Sequence, residues 1–183
     1  MLTVLIAAAT APAKAQDPRI SARFPAAAAA RLDVVIDSAG REGLPTDPLV
    51  LRALEGQAKN VPLDRIVDAL GRLRDALHAA RVTLGPSAAA TELTTAAAAL
   101  EAGVPDARLA ELRQLRSGQS LTAPLAAYLD LIASGVSASQ AWSRIADLAR
   151  HRATDADFVQ LTPTDIQRGR DHPPGPATSG GSR

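Results

Sequence analysis

The residues with the chemistry to act as ligands, bases or nucleophiles are few in this chain and badly spaced for it. None of its three histidines, His78, His151 and His172, has a second histidine at a metal-ligand spacing such as His-x-x-x-His. Asp155 and Asp157 beside Thr154 suggest a calcium loop at first sight. The glycine and distal glutamate such a loop requires are missing, so these residues are expected to cap a helix ahead of Phe158. The chain has no phosphate-binding Gly-x-x-x-x-Gly-Lys-Ser/Thr loop, no dinucleotide-binding Gly-x-Gly-x-x-Gly and no Gly-x-Ser-x-Gly nucleophile elbow. With no cysteine, disulfides, thiolate metal sites and cysteine nucleophiles are excluded. No catalytic residue, no metal ligand and no cofactor is therefore expected.

Four residues remain as binding candidates: Lys59, Asn60, Tyr128 and Trp142. Lys59 is the sole lysine after Lys14 in a chain that otherwise uses arginine, although Glu55 four residues earlier supplies an ordinary surface partner. Asn60 follows it at a helix corner. Tyr128 and Trp142 are half of the aromatic residues, and aromatics commonly anchor binding surfaces. Both also fall on apolar helical faces, which makes core packing the expectation for them.

The elements that position these residues are helices. Apolar residues make up 46% of the 183 and aromatics only 2%, so the core must be built from Leu, Ala, Val and Ile in closely packed helices. Four corners share one local pattern, Gly43-Leu44-Pro45, Asn60-Val61-Pro62, Gly103-Val104-Pro105 and Gly135-Val136-Ser137. In each, Gly or Asn accepts the left-handed conformation that closes a helix, the hydrophobe packs inward, and Pro or Ser opens the next helix. Ser137 with Gln140 adds a capping-box pattern. The corners predict helices over 30–41, 47–59, 63–83, 88–102, 106–116, 122–134 and 138–151, with a short eighth after Thr154. The third is expected to be central, because Leu63, Ile66, Leu70, Leu73, Leu77, Ala80 and Leu84 recur three and four apart. Its other side carries Asp64, Asp68, Arg72, Arg74 and Asp75, a solvated face on which Asp68 and Arg72 are expected to pair. The fold expected is all-α, a compact bundle of about seven short helices arranged as hairpins. An irregular helical-repeat stack is the alternative, disfavoured because a stack this short leaves its ends uncapped.

Residues 1–15 read as a leader. An apolar run from Leu2 to Ala11 precedes Pro12 and the small-x-small triplet Ala13-Lys14-Ala15, which places cleavage before Gln16. The run is short of the roughly 20 residues a membrane span needs, so no membrane span is expected once the leader is removed. No basic side chain precedes the run, which is atypical for a leader. Residues 16–29 then read as an exposed linker, 30–161 as one helical domain and 162–183, rich in Pro, Gly and Ser, as a disordered tail.

Basic residues number 20 against 19 acidic, and 19 against 19 without Lys14, so no strong field draws the chain to nucleic acid. The stretch from Ala53-Leu54-Glu55-Gly56 through Val61-Pro62-Leu63-Asp64-Arg65-Ile66 resembles segments of uncharacterised exported helical proteins of GC-rich bacteria. The resemblance extends over about half the chain and implies export and a helical fold, with no activity attached. Together these features point to a non-catalytic, periplasmic or secreted interaction or scaffold protein. Its expected partner is an envelope or extracellular protein or polymer. A carrier of a small apolar ligand and a small hydrolase are the alternatives.

Overall fold

The computed structural model describes residues 17–165 and contains helices only, with no strand among the described residues. The predicted leader and the tail from residue 166 onward lie outside the described residues. In chain order the helices are α1 (Pro18–Ser21), α2 (Ala26–Arg41), α3 (Asp47–Ala58), α4 (Leu63–Leu84), α5 (Ala90–Glu101), α6 (Asp106–Leu115), α7 (Thr122–Ala133), α8 (Ala138–Arg150) and α9 (Asp155–Val159).

The corners follow the local chemistry expected of them. At the end of α2, Leu44 N–H bonds Ala39 O at 2.9 Å and Gly43 N–H bonds Gly40 O at 3.1 Å, the paired bonds of a Schellman closure. The same pair closes α3 (Val61 to Gly56 at 2.9 Å, Asn60 to Gln57 at 3.0 Å), α5 through Val104 and Gly103, and α7 through Val136 and Gly135. A fifth closure, unforeseen, ends α8 with Arg152 in the left-handed region at φ 56°. Three of the four corner hydrophobes pack toward the interior, with Leu44 and Val104 buried and Val136 half-buried. Val61 does not.

The prolines differ in one detail from expectation. Pro62 and Pro105 sit at the N-cap, with extended backbone (ψ 140° and 147°), one residue ahead of the first turn. The hydrogen-bond pattern starts the helix only after them. At α8, Ser137 Oγ accepts the Gln140 N–H and donates to Gln140 Oε1. At α9 the carboxylate half of a capping box is formed, the N–H and hydroxyl of Thr154 both donating to Asp157 Oδ2, at 2.7 and 2.8 Å.

The 22-residue α4 is the longest helix described and the centre of the N-terminal half, packed on α2, α3, α5 and α6. Ile66, Leu70, Leu73, Leu77 and Ala80 form its buried stripe. The opposite face is solvated as expected, although no ion pair joins Asp68 to Arg72 among the described residues; Arg74 pairs instead with its neighbour Asp75. Helix α5 connects this half to α7, which in turn carries α8 and α9. One continuous apolar core runs from Ile20 to Phe158, so the arrangement is a compact bundle.

The linker expected over 16–29 is corrected by two features. Asp17 caps α1, its side chain accepting the Arg19 N–H at 2.9 Å, and Pro18 occupies the first turn. Ile20 is fully buried and Phe24 nearly so, which seats α1 on α2 and α3. Helix α2 begins at Ala26, four residues before the expected start, and buries Ala29. At the other end, Thr162 opens a helical turn at 163–165, its N–H and hydroxyl both donating to Asp165 Oδ2. The domain therefore reaches past the expected limit of 161.

Candidate functional site

Two of the four binding candidates, Lys59 and Asn60, meet at the α3–α4 corner, and the corner departs from its three relatives in a way the packing explains. Gly56 faces α4 so closely that a Cβ built on it would lie 2.8 Å from Ile66 Cγ1, well inside van der Waals contact. That approach draws the ends of the two helices together. Asn60 takes the left-handed closing position, with φ 54°. Val61, next in the chain, is left 36% exposed instead of being folded under the corner.

An open cleft lies on each side of Val61. The first, of about 320 Å³, has a floor of Gly56, Val61, Ile66 and Ala69 and a rim of Arg52, Glu55, Lys59 and Arg65. The second, of about 310 Å³, is lined by Phe24, Pro25, Ala28, Leu63 and Ile66, with the Gln57 and Asn60 amides at its edge. Lys59 Nζ pairs with Glu55 at 2.6 Å, the surface pair read from the sequence. The hydrogen bond from Lys59 is the main reason that the Glu55 carboxyl sits below the usual carboxylate range. Arg52 pairs with Glu101 at 2.9 Å, tying α3 to the end of α5. Arg65 has no carboxylate within ion-pair distance among the described residues.

Tyr128 and Trp142, the other two candidates, are not surface anchors. They are 1% and 6% exposed on α7 and α8, their rings meeting edge to face with centroids 5.9 Å apart. The Arg108 guanidinium lies 5.7 Å from the Trp142 ring centroid, and this cation covers the indole. Both rings lie on the buried stripes of α7 and α8, where core packing was expected of them.

The two histidines among the described residues make surface contacts. His78 Nδ1 lies 3.1 Å from Glu42 Oε2 on an exposed face shared with Arg74 and Asp75, and His151 Nδ1 lies 2.9 Å from Asp147 O. No group of three metal-ligating side chains converges among the described residues. Asp157 caps α9, and its hydrogen bonds from Thr154 hold its carboxyl below the usual range.

Two buried charged residues carry no local sequence signal. Arg116, 3% exposed at the end of α6, donates to Ala153 O at 2.8 Å and to Asp155 Oδ1, and its guanidinium lies 4.9 Å from the Phe158 ring centroid. Glu92 on α5 accepts from Arg113 at 2.7 Å and from the Leu121 N–H at 2.6 Å, fixing the start of α7. Their hydrogen-bond partners lie 21 to 39 residues away in sequence, so no local spacing announces them. No protein-family model matches this chain, and no curated protein and no solved structure shows significant similarity to it.

Proposed function

We propose that this protein is an exported, non-catalytic interaction module of the cell envelope that binds a protein partner through the surface formed by the α3–α4 corner. The observation that carries this reading is Val61. An aliphatic side chain at a position whose counterparts pack inward is here turned to solvent between two clefts with apolar floors. A contiguous apolar strip rimmed by polar groups marks docking surfaces, and Val61 joins the apolar floors of the two clefts into one such strip. The corner is also rigid, being closed by two backbone bonds and locked by the Gly56–Ile66 contact, so little ordering entropy opposes binding there.

Catalysis finds less support. The histidines and capping aspartates of the described region are engaged in surface pairs or helix caps, and general acid–base chemistry needs such a group held at a substrate site. Export rests on the apolar run and the Ala13-Lys14-Ala15 triplet.

Two experiments test these proposals. N-terminal sequencing of the protein from its native host is expected to begin at Gln16, and a retained Met1 would refute export. Crosslinking from envelope extracts is expected to capture a partner that Val61→Glu fails to capture. Turnover of a small substrate that one side-chain change abolishes, with no partner recovered, would favour an enzyme instead.

A further inference from the structure

We infer that the α3–α4 corner recognises a peptide segment in which a carboxylate stands beside a large apolar side chain. This deepens the proposed interaction function and rests on it. The rim of the first cleft holds three cations, Arg52, Lys59 and Arg65, against one lining carboxylate, Glu55. Glu55 is engaged by Lys59 and Arg52 by Glu101, so of these three rim cations Arg65 is the one with no carboxylate within ion-pair distance among the described residues. A ligand carboxylate entering beside Arg65 completes that charge balance over a floor of Ile66 and Ala69.

The second cleft has a different character. Its walls are Phe24, Pro25, Ala28 and Leu63, and it carries no charged side chain. The two clefts share only Val61 and Ile66, so an occupant crossing the Val61 ridge presents its anion on one side and its apolar group on the other. Each cleft is at the lower end of the range for small-ligand pockets, roughly 300 Å³, which suits one side chain per cleft better than a whole folded domain. The Gln57 and Asn60 amides make no side-chain hydrogen bond among the described residues and stand at the edge of the apolar cleft. Amides placed there match the N–H and C=O groups of a peptide backbone. An acyl chain has no such groups, which is why a peptide and not a fatty acid is the occupant the chemistry selects.

The test is selection followed by binding. A random heptapeptide display library is panned against the purified full-length protein and against its Lys59→Gln/Arg65→Gln variant; both positions are exposed, so the variant keeps its fold, and circular dichroism melting verifies this. Peptides selected by the parent are expected to combine Asp or Glu with Leu, Ile or Phe. Replacing the acid by its amide, or using the double variant, is expected to weaken binding at least tenfold. Amide resonances of Gly56, Val61 and Ile66 are expected to shift on titration. Selected peptides without an acid, an affinity indifferent to both changes, or shifts confined to other helices would overturn the inference. So would sodium laurate shifting these amides where no acidic peptide does. If crosslinking from position 61 captures an envelope partner while acidic peptides fail, this inference falls and the interaction function stands. If acidic peptides bind as described while position 61 captures nothing, the recognition chemistry stands and the envelope role falls.

Discussion

Replacing Gly56 by alanine sets two effects of known size against each other, and the structure says which one wins. A glycine in a helix interior costs about 1 kcal/mol relative to alanine, so the substitution on an open helix face is stabilising by that amount. At position 56 the added methyl would lie 2.8 Å from Ile66 Cγ1 and 3.1 Å from Cδ1. Ile66 is β-branched and 3% exposed, so it has little freedom to move aside. Overpacking of this kind costs about 1–3 kcal/mol, which exceeds or cancels the helical gain and leaves a net loss of roughly 0–2 kcal/mol. Gly71, inside α4, is the matched control, because a Cβ there meets nothing within 4 Å. Gly71→Ala is therefore expected to stabilise by roughly 0.5–1 kcal/mol. Urea and thermal denaturation read both, at about 2–4 °C of Tm per kcal/mol for a domain of this size. The sign at position 56 should reverse in an Ile66→Ala background, where the clash is gone, giving a coupling of at least about 1 kcal/mol. If Gly56→Ala stabilises as much as Gly71→Ala, α3 and α4 do not approach at this corner and the geometry of both clefts is wrong.

Leu70 is fully buried at the middle of α4, so Leu70→Ala is expected to cost roughly 2–5 kcal/mol in chemical denaturation, and a loss under about 0.5 kcal/mol would place it on the wrong face. Arg116→Ala removes the donor to Ala153 O, the partner of Asp155 and the cation over Phe158; a loss of about 1–3 kcal/mol is expected. In the same variant, hydrogen exchange should accelerate at Phe158 and Gln160 before it does in α4. The cap at α9 should respond to acid. Because the folded Asp157 pKa lies below its ordinary 3.8, its contribution is fully present above pH 3.8 and is lost as the pH falls through the lower folded value. A side-chain carboxyl titration by NMR checks the direction, and a folded midpoint above 3.8 would contradict it.

Most of the fold was legible because its punctuation is local. A Schellman closure is written in five or six consecutive residues, so the ends of α2, α3, α5 and α7 could be read from Gly43, Asn60, Gly103 and Gly135 to within about one residue. The buried stripe of α4 was equally plain, being repeated over several turns. Helix α1 was missed because four residues are too few for periodicity, although Asp17-Pro18 and the Ile20, Phe24 spacing were signals of a capped apolar turn. The site was only half legible. Lys59 and Asn60 stood out by residue type and position, but the exposure of Val61 depends on how closely Gly56 meets Ile66, a tertiary fact. Tyr128 and Trp142 illustrate the converse: aromatic type suggested binding, and helical spacing correctly suggested core. Arg116 and Glu92 find their partners across the fold, beyond the reach of any motif.

Whether the protein docks a partner at the α3–α4 corner is decided by site-specific photocrosslinking in the native host. A benzophenone side chain is introduced in place of Val61 and, separately, in place of Val82, which is 72% exposed near the end of α4 and lines neither cleft. Docking at the corner gives a discrete crosslinked species from position 61 that is absent from position 82 and is lost when Lys59 and Arg65 are both changed to Gln. Adducts of equal yield from the two positions, or none from position 61 with the protein at native abundance, would contradict it.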